Sequence, residues 1–198
     1  MDEFETAPAS LPVPSRSSHR SVEVGACVME YAALLGGEAH SDHPARVHPL
    51  LADLCRRTND RLGDDTRAGL VRLVPALIGT AQPLGPDGDP GVVSRAIADV
   101  YRRHLERRGA PVPPPPRSAL ADRVDPGAGA GTAVLDRPVA VEPARERHLW
   151  IDRAFEWSWS HRRDDDEVAG LLEEMVHEVR SAQGLPPVPT SGPMIRPA

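Results

Sequence analysis

The stretch VEVGACVMEYAALLGGEAHSDHPARVHPLLADLCRRTNDRLGDDTRAGLVRLVPALIGT, residues 22–80, decides the fold. At its start Val24, Cys27, Val28, Tyr31, Leu34 and Leu35 recur at the three-and-four spacing that lines one face of an α-helix, and Glu23 and Glu30 fall off that stripe. Gly36 and Gly37 close the helix, because glycine accepts the left-handed backbone that follows a helix end. Residues 38–44 reverse the chain, with Ser41 or Asp42 as cap and Pro44 tolerated only in a first turn. The spacing of Leu50, Leu51, Leu54 and Cys55 then predicts a second helix from near Pro49. Two helices joined by so short a turn read as an antiparallel hairpin, with Cys27 and Cys55 at a similar level.

Outward from this hairpin the pattern stays helical. Asp64 and Asp65 cap a third helix carrying Leu70, Val71, Leu73, Val74, Leu77 and Ile78, which Pro75 must break into two pieces ending at Gly79. Turn residues fill 80–89, and Asp89 with Pro90 opens a fourth helix that buries Val93, Ile97, Val100, Tyr101 and Leu105 and stops at Gly109. Residues 21–109 therefore read as a bundle of about four helices. Residues 110–141, with four consecutive prolines and a Gly-Ala repeat, read as a linker between two regions with little mutual obligation. Beyond it, residues 142–184 predict a helical hairpin. Its first helix carries Leu149, Trp150, Ile151, Phe155, Trp157 and Trp159, and its second is opened by the acidic run 164–167 and lined by Val168, Leu171, Leu172, Met175, Val176 and Val179. The expected architecture is all-α, with residues 1–20 a disordered arm and 185–198 a disordered tail, since neither has the periodicity to bury surface.

Composition narrows the function classes. Aromatic residues make up only 4% of the chain and the 22 prolines cluster, so the foldable part is shorter than the whole. A formal net charge of −6 argues against a surface built throughout for nucleic acid or acidic membranes. Every basic residue is arginine, a bias shared with the abundance of Ala, Gly and Pro and without functional content. The acidic start Met1–Glu5 lacks the positive and apolar parts of a secretory signal, and no apolar run reaches transmembrane length, so a cytoplasmic location and no membrane partner are expected.

No catalytic signature emerges, and a non-enzymatic role is expected. Cys27, His40, His43 and Cys55 are the residue types zinc prefers, and they are the candidate ligands of a zinc or redox module; their spacing matches no finger or protease pattern, and zinc is the only cofactor they suggest. A catalytic Cys27 is disfavoured by its place on the apolar stripe, and Glu30 is expected to answer Arg56 or Arg57 from the facing helix. Arg102, Arg103, Arg107 and Arg108 form a basic cluster at the end of the fourth helix, suited either to phosphates or to the helix macrodipole. Trp150, Phe155, Trp157 and Trp159 point most directly to a role, because a two-helix unit cannot bury aromatics on several faces and tryptophan is enriched where partners bind; the equal alternative is an intramolecular core against the first four helices. The leading expectation is a protein–protein interaction or regulatory module, with a protein partner or a second copy docking on this hairpin. The alternatives are the zinc or redox module and a nucleic-acid-binding regulator using the four arginines.

Cys27-Val28-Met29-Glu30, Gly37-Glu38, Ser41-Asp42-His43-Pro44, Asn59-Asp60-Arg61-Leu62 and Val74-Pro75 followed by Gly79-Thr80 resemble the motifs of a family of uncharacterised small helical proteins of actinobacteria and their phages, over about residues 25–80. The resemblance implies a shared module with no assigned activity, cofactor or catalytic residue. Members of that family carry an aromatic after the Gly-Glu and a cysteine two residues past the proline of the Ser-Asp-His-Pro motif. This chain has Ala39 and Arg46 there, so a metal site built on the family's cysteines would lack a ligand here.

Overall fold

The computed structural model describes residues 13–81, 89, 91–111 and 143–189. Every regular element among them is helical: α1 (Val28–Leu35), α2 (Pro49–Arg61), α3 (Asp64–Gly69), a 3₁₀ turn (Leu70–Leu73), α4 (Val74–Leu77), α5 (Val92–Arg107), α6 (Pro143–Ser160) and α7 (Asp165–Ala182). Residues 112–142, which hold all but the first two residues of the linker expected over 110–141, the turn residues 82–88, Pro90, and the ends 1–12 and 190–198 lie outside the described residues.

Local chemistry accounts for the boundaries. The apolar stripe suggested that α1 reaches back past Cys27, but the helix starts at Val28: Cys27 is extended, Val24 is 74% exposed, and the Glu30 carboxylate returns to accept the Cys27 N–H at 2.6 Å. That is the acidic half of a capping box, with cysteine in the cap position. Gly37, at φ 73°, ends α1. At α2, Pro49 occupies the first turn, where its missing N–H costs nothing, and His48 Nδ1 accepts the Leu50 N–H. Pro75 sits in the first turn of α4, so the break it requires falls in the 3₁₀ turn just before it. The side chain of Asp164 accepts the Glu167 N–H and caps α7.

The C-terminal helical pair packs on the N-terminal helices, one of the arrangements open to a unit of its size. α5 packs against both α6 and α7, and α7 also reaches α2, α3 and α4. Met29, Leu51, Leu54, Leu73, Leu77, Ile97, Tyr101, Ile151, Phe155, Leu172, Met175 and Val176 belong to one buried cluster. The physical reason lies in α5, which buries Val93, Ala96, Ile97, Ala98, Val100, Tyr101 and Leu105. So broad a face needs neighbours on two sides, and a pair as small as α6 and α7 needs a partner core. Ion pairs border this seam, Arg57 with Asp152 and Glu156, Arg61 with Glu156, Arg103 with Glu174 and Glu178, and Arg72 with Glu173.

The expectation of disorder is corrected for residues 13–20 and 185–189. Residues 13–20 form a strap across α1 and α2, with Pro14 buried and the Ser15 N–H on the Ala26 carbonyl. Composition could not show this because the partners of the strap, among them Glu30, Asn59 and Asp60, lie 11 to 44 residues away. At the other end, Arg180 donates to the Pro186 carbonyl and Val188 packs on the core, which holds residues 185–189 against the fold.

Candidate functional site

Glu30 is 1% exposed, and its position is set by the first turn of α1. One carboxylate oxygen accepts the backbone N–H of His19 at 2.6 Å; the other accepts the Cys27 N–H at 2.6 Å and faces His19 Nδ1 at 2.9 Å. His40 Nε2 stands 3.4 Å from Glu30 and 3.1 Å from the His19 carbonyl. Burial alone would raise the Glu30 carboxyl, but the donors from His19 and Cys27 outweigh it and hold the group below the usual carboxylate range. The expected pairing of Glu30 with Arg56 or Arg57 is therefore corrected. Arg56 donates to the Asp42 carbonyl and Arg57 turns to Asp152 and Glu156, because the carboxylate is already consumed by its own helix start and by the strap.

The chain of contacts continues outward. His19 Nε2 lies 2.8 Å from Ser15 Oγ. Asn59, fully buried, accepts the Val28 N–H and donates to the Ser15 carbonyl, so it ties α1, α2 and the strap together. Gly25 closes over this group: a Cβ there would stand 2.8 Å from His19 Cδ2 and 2.9 Å from Ser15 Oγ. Ser15 and His19 were not singled out from the sequence, and Asn59 entered only as part of a motif. The usable signals were the Ser-x-x-x-His spacing at 15 and 19 and the acidic residue three positions after a cap at Glu30.

Of the proposed ligand set, Cys27 and Cys55 are free thiols buried in the core. Burial pushes the Cys27 thiol up to about 12 and raises Cys55 as well, so neither presents a thiolate near neutrality. His40 faces Glu30, and His43 is exposed beside Asp42. Among the described residues no group of three or more His, Cys, Asp or Glu side chains is arranged to hold a metal ion.

The arginine cluster meets carboxylates. Arg102 pairs with Asp99 and Glu106, Arg103 with Glu174 and Glu178, Arg107 with Glu174, and Arg108 with Glu167 and the His161 carbonyl. Arg107 and Arg108 line a recess of about 290 Å³ together with His104, Arg163, Glu167 and Glu174, where positive and negative groups alternate. His104 is held below its ordinary value, chiefly by burial.

The aromatic set divides. Trp150 and Phe155 are core residues at 5% and 2% exposure, which removes them from the expected partner face; the core against α5 takes them. Trp157 and Trp159 are half-buried at the end of α6. Trp157 stacks on His161 with ring centroids 4.4 Å apart, and the Arg162 guanidinium lies 4.0 Å over the Trp159 ring.

No family model, no curated protein and no solved structure matches this chain. The resemblance over residues 25–80 therefore stands on its motif residues alone. Among the described residues no helix is long and apolar enough to cross a membrane.

Proposed function

We propose that this protein is an interaction module in which the helices α1–α5 form a platform and the α6–α7 hairpin presents its corner to a protein partner. The observation that carries the reading is the pair Trp157 and Trp159, half-buried on a short surface segment and each braced by a neighbouring His or Arg. An aromatic side chain held in place before binding loses little rotamer freedom on docking, which is what makes tryptophan an effective anchor. Arg163, 74% exposed at the same corner, adds a cation for a partner that brings carboxylates.

The four arginines of the nucleic-acid alternative favour this reading indirectly. Their charges are answered by α5 and α7 carboxylates, so a phosphate backbone would have to displace intramolecular pairs to reach them. The test is affinity capture with the full chain and with the Trp157→Ala/Trp159→Ala double variant, alongside native mass spectrometry for self-association. Retention of a defined partner or a second copy by the wild type, and its loss in a double variant that still unfolds cooperatively in urea, is the expected result. Equal retention by both proteins overturns the reading.

A further inference from the structure

We propose that Ser15, His19 and Glu30 form a nucleophile–base–carboxylate relay that accepts an acyl group from an activated carboxylic ester. The geometry is that of a serine relay: Ser15 Oγ to His19 Nε2 is 2.8 Å, and His19 Nδ1 to Glu30 Oε2 is 2.9 Å. Glu30 Oε2 offers an acceptor to His19 Nδ1; in the tautomer that carries the proton on Nδ1, the ring has a bare Nε2 that accepts from the Ser15 hydroxyl. Glu30 is itself fixed by two backbone N–H groups, so the imidazole is held from behind as the base of a relay requires.

Three further features belong to the residues next to the hydroxyl in sequence or in space. Ser17, two residues on, is the one non-glycine residue at positive φ (65°) among the described residues, and its N–H is pinned to Asp60 Oδ1 at 2.7 Å. Such backbone strain collects where a side chain has to be presented in a set direction. The Arg16 N–H, immediately after Ser15, meets no backbone acceptor among the described residues, and the amide following a nucleophile is the donor an acyl-transfer oxyanion uses. Gly25 leaves room for imidazole and hydroxyl together, which any Cβ would remove.

The step balances within the relay. Ser15 Oγ attacks the ester carbonyl carbon and forms the Oγ–C bond while its proton passes to His19 Nε2. Collapse of the tetrahedral intermediate breaks the C–O bond to the leaving alcohol, which departs with the proton from His19. The products are acyl-Ser15 and the free alcohol, and water attacking through the same base returns the serine and releases the carboxylic acid.

The experiment treats the full chain with diisopropyl fluorophosphate and maps adducts by peptide mass spectrometry, with Ser17 and Ser18 of the same loop as internal controls. In the labelling reaction Oγ displaces fluoride from phosphorus, and the proton goes to His19. The expected result is a diisopropylphosphoryl adduct on Ser15 with Ser17 and Ser18 unlabelled, and labelling slowed about 100-fold in His19→Asn, the low end of what a positioned base contributes. A second probe, p-nitrophenyl acetate, should give a burst of p-nitrophenol that Ser15→Ala abolishes. A purely structural strap predicts the same folding but an inert hydroxyl. No Ser15 adduct in the folded wild type, or equal labelling of Ser15, Ser17 and Ser18, overturns the relay.

Discussion

At the scale of single residues, Glu30 carries the most consequence, because one buried carboxylate accepts the N–H of its own helix cap and the N–H and imidazole of the strap. Replacing it by Gln removes charge-assisted bonds and leaves a buried amide facing donors, so Glu30→Gln is expected to cost about 2–3 kcal/mol in urea unfolding near pH 7. The pH dependence has a definite sign. The folded carboxyl titrates below its ordinary value of 4.5, so the unfolded chain binds more protons in that range. The stability it contributes is therefore complete above about pH 4.5 and lost as pH falls through the folded value, and the gap between wild type and Glu30→Gln should narrow on acidification. A gap that stays constant from neutral to acid pH would contradict this account. Gly25, at φ 155° and against His19, should not tolerate a Cβ: Gly25→Ala is expected to lower stability by about 1–3 kcal/mol by the same assay. Cys27 and Cys55, buried and with raised thiol pKa, should resist iodoacetamide in the native state and react fully only in denaturant, as counted by intact mass. The roles of Ser15 and His19 were illegible beforehand because nothing in a Pro- and Ser-rich segment signals which distant carboxylate will meet it.

At the scale of elements, α6 shows how one helix divides its aromatics between the core and the surface. Phe155 faces α2 and α5 across the core, while Trp157 and Trp159 flank the corner into α7. Phe155→Ala is expected to cost about 3–5 kcal/mol, as removal of a buried ring does, and Trp157→Ala distinctly less. Differential scanning calorimetry on both variants separates them, and similar losses would mean that Trp157 belongs to the core. Helix existence was legible throughout: the three-and-four spacing located α2, α5, α6 and α7, and Pro75 announced the break before α4. Starts were less legible. The start of α1 depended on Glu30 folding back to Cys27, a hydrogen bond that hydrophobic periodicity does not register.

At the scale of the whole molecule, one buried cluster runs from α1 to α7, so the chain should unfold as a unit. Residues 1–111 expressed without α6 and α7 would expose the faces of Ile97, Val100 and Tyr101, and we expect no cooperative thermal transition for that fragment by circular dichroism. A sharp transition in the fragment would restore the view of two independent regions. The sequence by itself determined the all-helical class and the apolar faces, because both follow from local backbone preference and a periodicity of 3.6 residues. Only the tertiary structure decided which faces meet, which aromatics remain at the surface, that four arginines find carboxylates, and that a strap of unremarkable composition brings Ser15 and His19 to Glu30. Those outcomes depend on contacts between residues far apart along the chain, and no local pattern encodes their partners.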